Sequence, residues 1–367
     1  MKIVGTTPKE DQYYLPAETK RHRESIMMWP ERSDNWRNGA KPAQKTFAEI
    51  AAIINRYEPV TMLVSKEQYQ NARHALPAEI RVIEMSYNDA WIKDIGPTYL
   101  LNQKNQIRAV DWRFNAWGGL VDGLYFPWDM DDQVAQKLCE LTGIDYYHLE
   151  KFILEGCAFH TDGEGTLIVT EESILSEGRN GMLTKTEVEA VLKAYLGIEK
   201  VIWLKLGYFM DETNGDVDNM LSFVRPGELL LTWTDDQSDP QYASSEEAYR
   251  ILEAATDTKG RHFKIHKLQM PKPMFATQEE SAGVDPINGL LPRYPGDRLT
   301  ASYVNYYALN DAIILLIFDD PQDTVAIQTL TQLFPDRKIE PVYARELLLG
   351  GGDVHCVVAA VPAHTEA

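Results

Sequence analysis

Cys356 closes the run Gly350-Gly351-Gly352-Asp353-Val354-His355-Cys356. Three successive glycines ahead of a β-rich segment are entropically costly. They point to a backbone that takes positive φ or passes close to another group, a ligand among them. At the mouth of the strand expected to follow, Cys356 is placed to present a thiolate nucleophile or, on the plainer reading, to fill the core as a small buried hydrophobe. Strand alternation sends His355 to the opposite face, away from the thiol.

A second concentration of chemistry is Asp211-Glu212-Thr213-Asn214-Gly215-Asp216-Val217-Asp218-Asn219, with four carboxylates in eight residues. If residues 216–220 are extended, Asp216 and Asp218 project from one face with Val217 behind them. Such crowding is unfavourable unless the loop is solvated or a cation sits between the acids, whether metal, ammonium or guanidinium. A calcium loop would read D-x-[DN]-x-[DN]-G with a distal Glu, an order this segment lacks, so no metal is expected. Trp91 and Asp94 pair an aromatic face with a carboxylate, the combination a planar cation uses for stacking and forked hydrogen bonding. Glu155-Gly156-Cys157 supplies a further acid, and Asn115-Ala116-Trp117-Gly118-Gly119 either lines a pocket or packs on the core. Walker, dinucleotide-binding, zinc-protease and serine-hydrolase signatures are missing.

These groups need elements to position them. Hairpin-like runs cover 98–112 around Asn102-Gln103-Lys104-Asn105, 158–170 around Asp162-Gly163-Glu164-Gly165, 220–233 around Pro226-Gly227 and 301–318 around Asn310-Asp311. A fifth run, 354–362, shows a single strand. Helical periodicity marks 43–57, with Phe47, Ile50, Ile54 and Tyr57 on one face, and 131–141, with Val134, Leu138 and Leu141. Capping boxes predict helix starts at Thr184 with Glu187 and at Ser244 with Glu247. Each β-rich run is preceded by a polar cluster: 91–94, 155–156, 212–218, 302–305 and 350–356. The pattern fits either ordinary α/β alternation or radial pseudo-symmetry in which the clusters meet near one axis.

The 367 residues are 44% hydrophobic and 25% charged, the balance of a folded globular chain. Nothing marks a linker, so one domain spanning 1–367 is expected. No stretch approaches the roughly 20 apolar residues of a membrane span, and MKIVGTTPKEDQYY lacks the order of a secretory signal, which predicts a cytoplasmic location. The 36 Lys+Arg against 55 Asp+Glu leave a net charge of -19, a field that repels nucleic acid and anionic lipid and favours cationic ligands. Cys139, Cys157 and Cys356 are odd in number and lack C-x-x-C spacing, which argues against a disulfide framework or a zinc ribbon.

Taken in order, Trp91-x-x-Asp94-x-Gly-Pro, Phe114-Asn115-x-Trp117-Gly-Gly, Glu155-Gly, Glu212-Thr-Asn-Gly-x-Val-Asp218-Asn and Gly-Gly-Gly-Asp-Val-His-Cys356 resemble the agmatine deiminase family over about residues 16–362. The resemblance implies a pentein fold, a five-bladed pseudo-symmetric α/β propeller with the active site on its axis. It also implies conversion of agmatine and water to N-carbamoylputrescine and ammonia without a cofactor, in a homo-oligomer. Carried over by position, Cys356 is the nucleophile, Asp94 and Asp218 hold the guanidinium, Glu212 faces the far amine and Glu155 supports a catalytic histidine.

Three positions depart from that pattern. The family histidine is Asp216, its second glycine after Glu155 is Cys157, and its usual arginine is Lys93. An aspartate with a pKa of about 3.9 is a poor proton shuttle unless crowding by Asp218 and Glu155 raises it, and the same charge discourages a thiolate at Cys356. Cys157 is expected to strain the backbone and displace Glu155, and Lys93 to remove a planar fork near Asp94. The expectation is therefore an agmatine deiminase of reduced activity. The alternatives are a catalytically inactive guanidine- or polyamine-binding paralogue, or a deiminase of peptidyl-arginine. Free arginine fits poorly, since the Glu212 region offers its α-carboxylate another carboxylate.

Overall fold

The computed structural model describes residues 1–287 and 291–363. Among them, five sheets share one connectivity: an antiparallel hairpin, a crossover helix, and a strand that returns parallel to the second hairpin strand. Thr98–Leu101 pairs with Ile107–Arg113, followed by helix Val134–Thr142 and strand Tyr146–Ile153. Phe159–Thr161 and Thr166–Thr170 lead to helix Lys185–Leu196 and Lys200–Leu204. Leu221–Arg225 and Glu228–Trp233 lead to Gln241–Ala254 and Lys264–Gln269. Tyr307–Ala308 and Ala312–Ile317 lead to Gln322–Leu333 and Lys338–Tyr343.

The fifth sheet joins distant parts of the chain. Val358–Pro362 pairs antiparallel with His22–Met28, which continues through helix Lys41–Ile54 to the parallel strand Val60–Val64. The partner missing from the run at 354–362 thus comes from the other end of the sequence. The mixed α/β class and the hairpins read from the sequence are all present. A further two-stranded ladder, Met274–Phe275 with Arg298–Leu299, lies outside the repeat.

The helices form where one apolar face can be buried. Helix Lys41–Ile54 buries Ala43, Phe47, Ile50, Ala51 and Ile54, and Phe47 meets the edge of Trp36 with ring centroids 5.6 Å apart. Helix Lys185–Leu196 starts at the predicted capping box and buries Val188, Leu192 and Leu196. The box predicted at Ser244 is not used, because helix Gln241–Ala254 is already under way there. Pro240 supplies a helical φ of -55°, and the Asp239 carboxylate accepts the Gln241 N–H at 2.9 Å. Ser244 is instead buried on the helix face that also carries Ala248 and Leu252.

Each hairpin is entered through a short turn, and the turns carry the polar clusters. They are the helical turns Ile92–Ile95, Gly156–Ala158, Val217–Asn219 and His355–Val357, with residues 302–305 in the equivalent place before Tyr307–Ala308. Several of these turns touch one another, so their side chains converge. Residues 216–220 are therefore curled into a 3₁₀ turn with Met220 N–H donating to the Val217 carbonyl, not extended as predicted.

Phe47→Ala should cost about 3–5 kcal/mol through loss of a fully buried ring and the cavity it leaves. Urea denaturation measures it as a lower midpoint with an unchanged slope.

Candidate active site

The turns surround a cavity of about 230 Å³ whose walls include Asp94, Cys157, Asp216, Asp218 and Cys356. Cys356 Sγ lies 3.6 Å from Asp218 Oδ2 and accepts the Asp353 backbone N–H at 3.5 Å. Asn305, from the remaining turn, donates through Nδ2 to Asp218 Oδ2 at 2.8 Å, and its own Oδ1 accepts the His355 N–H at 3.0 Å. All five repeats therefore contribute to one site.

Two glycines of the triplet have distinct tasks. Gly351 adopts a φ of +101°, and a Cβ there would fall 2.2 Å from Arg293 Nη2. At Gly352 a Cβ would lie 2.5 Å from the Trp91 ring, so the backbone bearing Cys356 passes directly against that indole. Trp91 stacks on Trp36 at 5.3 Å and donates its N–H to Asp89 at 2.9 Å, which fixes the aromatic wall. Trp117 also lines the cavity, held by backbone φ values of 55° at Ala116 and 64° at Trp117, a costly conformation for side-chain-bearing residues.

The acids differ sharply in character. Asp94 accepts the Cys157 backbone N–H at 2.9 Å. Burial, with the charges of Asp218 and Glu155 adding to it, pushes its carboxyl up to about 7 against the hydrogen bonds from Cys157. For Asp218 burial works upward too, but the hydrogen bond and charge of His355 prevail and hold it below the usual carboxylate range. His355 Nδ1 sits 3.0 Å from Asp218 Oδ2, and Nε2 sits 2.9 Å from Glu18. Burial lowers this imidazole, yet Glu18 and Asp218 outweigh it and leave the group raised. Because His355 begins a 3₁₀ turn, strand alternation does not apply, and it bridges two carboxylates beside the thiol.

Asp216 is 1% exposed, and its Oδ2 has no hydrogen-bond partner. Its Oδ1 accepts from Ser173 and lies 3.6 Å from Arg179 Nη2. Burial drives the carboxyl well above the ordinary range against the pull of Arg179, and Glu155, Asp94 and Asp211 push the same way. Of the two neighbours expected to do this, Glu155 does; Asp94 and Asp211 stand where Asp218 was expected. The thiol of Cys356 is eased downward by its hydrogen bond with Cys157. Burial and the charges of Asp218, Asp94 and Asp353 nonetheless push it up to about 12.

Glu155 lies behind the wall. It is fully buried and grips Arg179 Nε at 2.9 and 3.1 Å, while Arg179 Nη2 donates to the Thr213 carbonyl at 2.7 Å. Arg179 links it to Asp216. Nothing in the sequence around Arg179 distinguished it from a surface cation. Glu212 lines the cavity and is already paired with Arg293 at 2.6 Å. The carboxylate expected there is present, with a cation beside it that it already occupies.

The strain expected at Cys157 is not found. It sits in the turn Gly156–Ala158 without positive φ, and the glycine that is needed is Gly156, where a Cβ would lie 2.1 Å from the Lys93 carbonyl. Lys93 pairs with Glu18 and lines a separate cavity of about 80 Å³, so its ammonium has no part in holding Asp94.

Residues 14–362 match the family model described as Porphyromonas-type peptidyl-arginine deiminase. An agmatine deiminase of Pseudomonas aeruginosa is 50% identical over 368 residues, covering 100% of both chains. The chain belongs to the agmatine deiminase group of that family. The solved agmatine deiminase of Enterococcus faecalis superposes with a TM-score of 0.96 at 46% identity, covering 99% of this chain and 100% of its own. A C. jejuni agmatine deiminase solved with substrate bound shares the fold at a TM-score of 0.83 and 22% identity, over 96% and 97% of the two chains.

Within this agmatine deiminase family member, Arg179 is the cation on which two buried acids depend. Arg179→Met should destabilise the protein by about 3–5 kcal/mol, because it leaves Glu155 and Asp216 uncompensated. Adding Glu155→Leu should recover part of that loss. Chemical denaturation of the single and double variants checks both statements; a double variant as unstable as the sum of the singles contradicts the coupling.

Proposed function

We propose that this chain hydrolyses agmatine to N-carbamoylputrescine and ammonia through a covalent thiouronium on Cys356. One observation carries the reading: Cys356, Asp94, Asp218 and Asp216, whose Oδ2 has no hydrogen-bond partner, all line one cavity. A guanidinium carbon is a poor electrophile because its charge is delocalised, so two carboxylates must orient it and keep it protonated while sulfur attacks. The same reading takes the five like sheets, with the last closed between the two ends of the chain, as the blades of a pentein propeller forming one domain.

The bound cation brings positive charge beside Sγ and favours the thiolate that the surrounding acids oppose. The nearest acceptor for the thiol proton is Asp218 Oδ2, backed by His355. Sulfur adds to the guanidinium carbon, and the tetrahedral adduct expels ammonia as it takes a proton from neutral Asp216. The new Asp216 carboxylate then removes a proton from water, whose oxygen attacks the thiouronium carbon. The C–S bond breaks as the adduct's hydroxyl proton passes to the leaving sulfur, which releases the ureido product and restores the thiol, while the proton held on Asp218 leaves with ammonia as ammonium. Burial raises the Asp216 carboxyl well above the ordinary carboxylate range, so that it keeps a proton to give to the leaving nitrogen. The high thiol pKa of Cys356 in the empty site is the observation that favours the second reading, guanidine or polyamine binding without chemistry.

Asp216→Asn should lower kcat by about 10²–10⁴ with little change in KM, and Asp216→His should exceed the wild type, as read by ureido product formation. Failure of Asp216→His to gain activity contradicts the proposed defect. Absence of both product and thiouronium by mass spectrometry, with agmatine still raising Tm, supports the binding reading instead.

Asp94 gives a pH prediction. Its carboxyl titrates at about 7 in the free protein, so it is neutral below that pH and anionic above it. A second negative charge on the guanidinium therefore appears as pH rises, and kcat/KM for agmatine should climb through about 7. A profile flat across that range contradicts the role given to Asp94.

A further inference from the structure

Cys157 is a buried thiol at the cavity wall for which the guanidine chemistry has no task. Its Sγ, Cys356 Sγ and a carboxylate oxygen of Asp218 all lie within 4.8 Å of one another. Zinc holds thiolate at about 2.3 Å and carboxylate oxygen at about 2.0–2.2 Å, so the edges of its tetrahedron are about 3.5 Å for S···O and about 3.8 Å for S···S. The observed Cys356 Sγ to Asp218 Oδ2 separation of 3.6 Å is already such an edge.

We propose that Cys157, Cys356 and Asp218 form a site for a thiophilic divalent cation of the zinc class, whose fourth position faces the cavity. Two soft sulfur donors with one carboxylate select zinc-like ions over magnesium or calcium. His355 Nδ1, 3.0 Å from Asp218 Oδ2 and 3.9 Å from Cys157 Sγ, orients the carboxylate from behind. Asp94 and Asp211 on the same wall, in their ionised forms, attract a dication. No spacing in the sequence announces such a site, since its three donors come from three separate turns.

The site goes beyond the deiminase reading but shares Cys356 and Asp218 with it, so cation and agmatine exclude each other. Occupied, it would hold the nucleophile as a metal thiolate and leave the guanidinium one carboxylate short. The second group of donors, Glu18, His160 and His355, is the competing location, although Glu18 is there paired with Lys93.

The test uses the full chain, reduced with a phosphine, stripped with a chelator and titrated with cobalt(II). One equivalent should produce a thiolate-to-cobalt charge-transfer band with tetrahedral ligand-field absorption, which zinc then displaces and agmatine suppresses. In competition with a chromophoric chelator, Cys157→Ser should weaken zinc binding by at least about 100-fold, beyond the 10–100-fold typical of losing an outer-shell partner. X-ray absorption of the zinc-loaded wild type needs no variant and should show two sulfur neighbours. Absence of the charge-transfer band, zinc affinity unchanged in Cys157→Ser, or a nitrogen and oxygen shell without sulfur would each overturn the site. These readouts are independent of turnover, so a protein inactive toward agmatine that still binds cobalt through two thiolates refutes the deiminase reading and leaves the metal site standing.

Discussion

The governing constraint is the burial of several carboxylates around one cavity without enough cations to neutralise them. Asp94, Asp216, Asp218 and Asp353 are all removed from bulk water. Arg179 and His355 satisfy part of this charge, at Asp216 and Asp218, from behind the cavity wall, and Arg293 pairs with Glu212 at the cavity itself. The molecule resolves the remainder by protonation. Asp216 and Asp353 are pushed far toward the neutral acid, while Asp218, tied to His355, stays anionic. Such a cavity is poised for a cation, and the thiol beside it gains its ionised form most readily when one arrives.

The repeat in the fold is what makes this crowding attainable. A single loop carrying so many acids would turn them to solvent. Here the acids and thiols are divided among several short turns, each ahead of a buried hairpin, and packing of the hairpins brings the turns together whatever their charge. Burial of apolar strands such as Ala312–Ile317 and Val60–Val64 supplies the free energy that holds unfavourable electrostatics in place. The aromatic wall does related work. Phe47 on a helix face fixes Trp36, Trp36 stacks on Trp91, and Trp91 presses on Gly352 beside the nucleophile.

Much of this was legible in the residues. The helix face of Phe47, Ile50 and Ile54, the capping box at Thr184 and the polar turns at 102–105 and 162–165 are local signals and formed as read, although the helix ends at Ile54 and leaves Tyr57 in the turn beyond it. The misreadings have separate causes. Ser244 looked like a cap until Pro240 and Asp239 started the helix earlier. Residues 216–220 and His355 were given strand geometry where the chain makes 3₁₀ turns. Cys157 was charged with strain that belongs to Gly156, whose neighbour across space is the Lys93 carbonyl.

The sequence by itself determined the hairpin-and-helix units, the acid-rich turns before them and the identity of Cys356 as the thiol at the end of a glycine run, because these depend on propensities and contacts within a few residues. Only the tertiary structure decided that Arg179 stands between Glu155 and Asp216, that Arg293 meets Glu212, and that Cys157 faces Cys356 and Asp218. Those pairings span from 24 to 199 positions of chain. They are set by how the sheets pack against one another, and the raised carboxyls of Asp94 and Asp216 and the lowered one of Asp218 follow from that packing rather than from their neighbours in sequence.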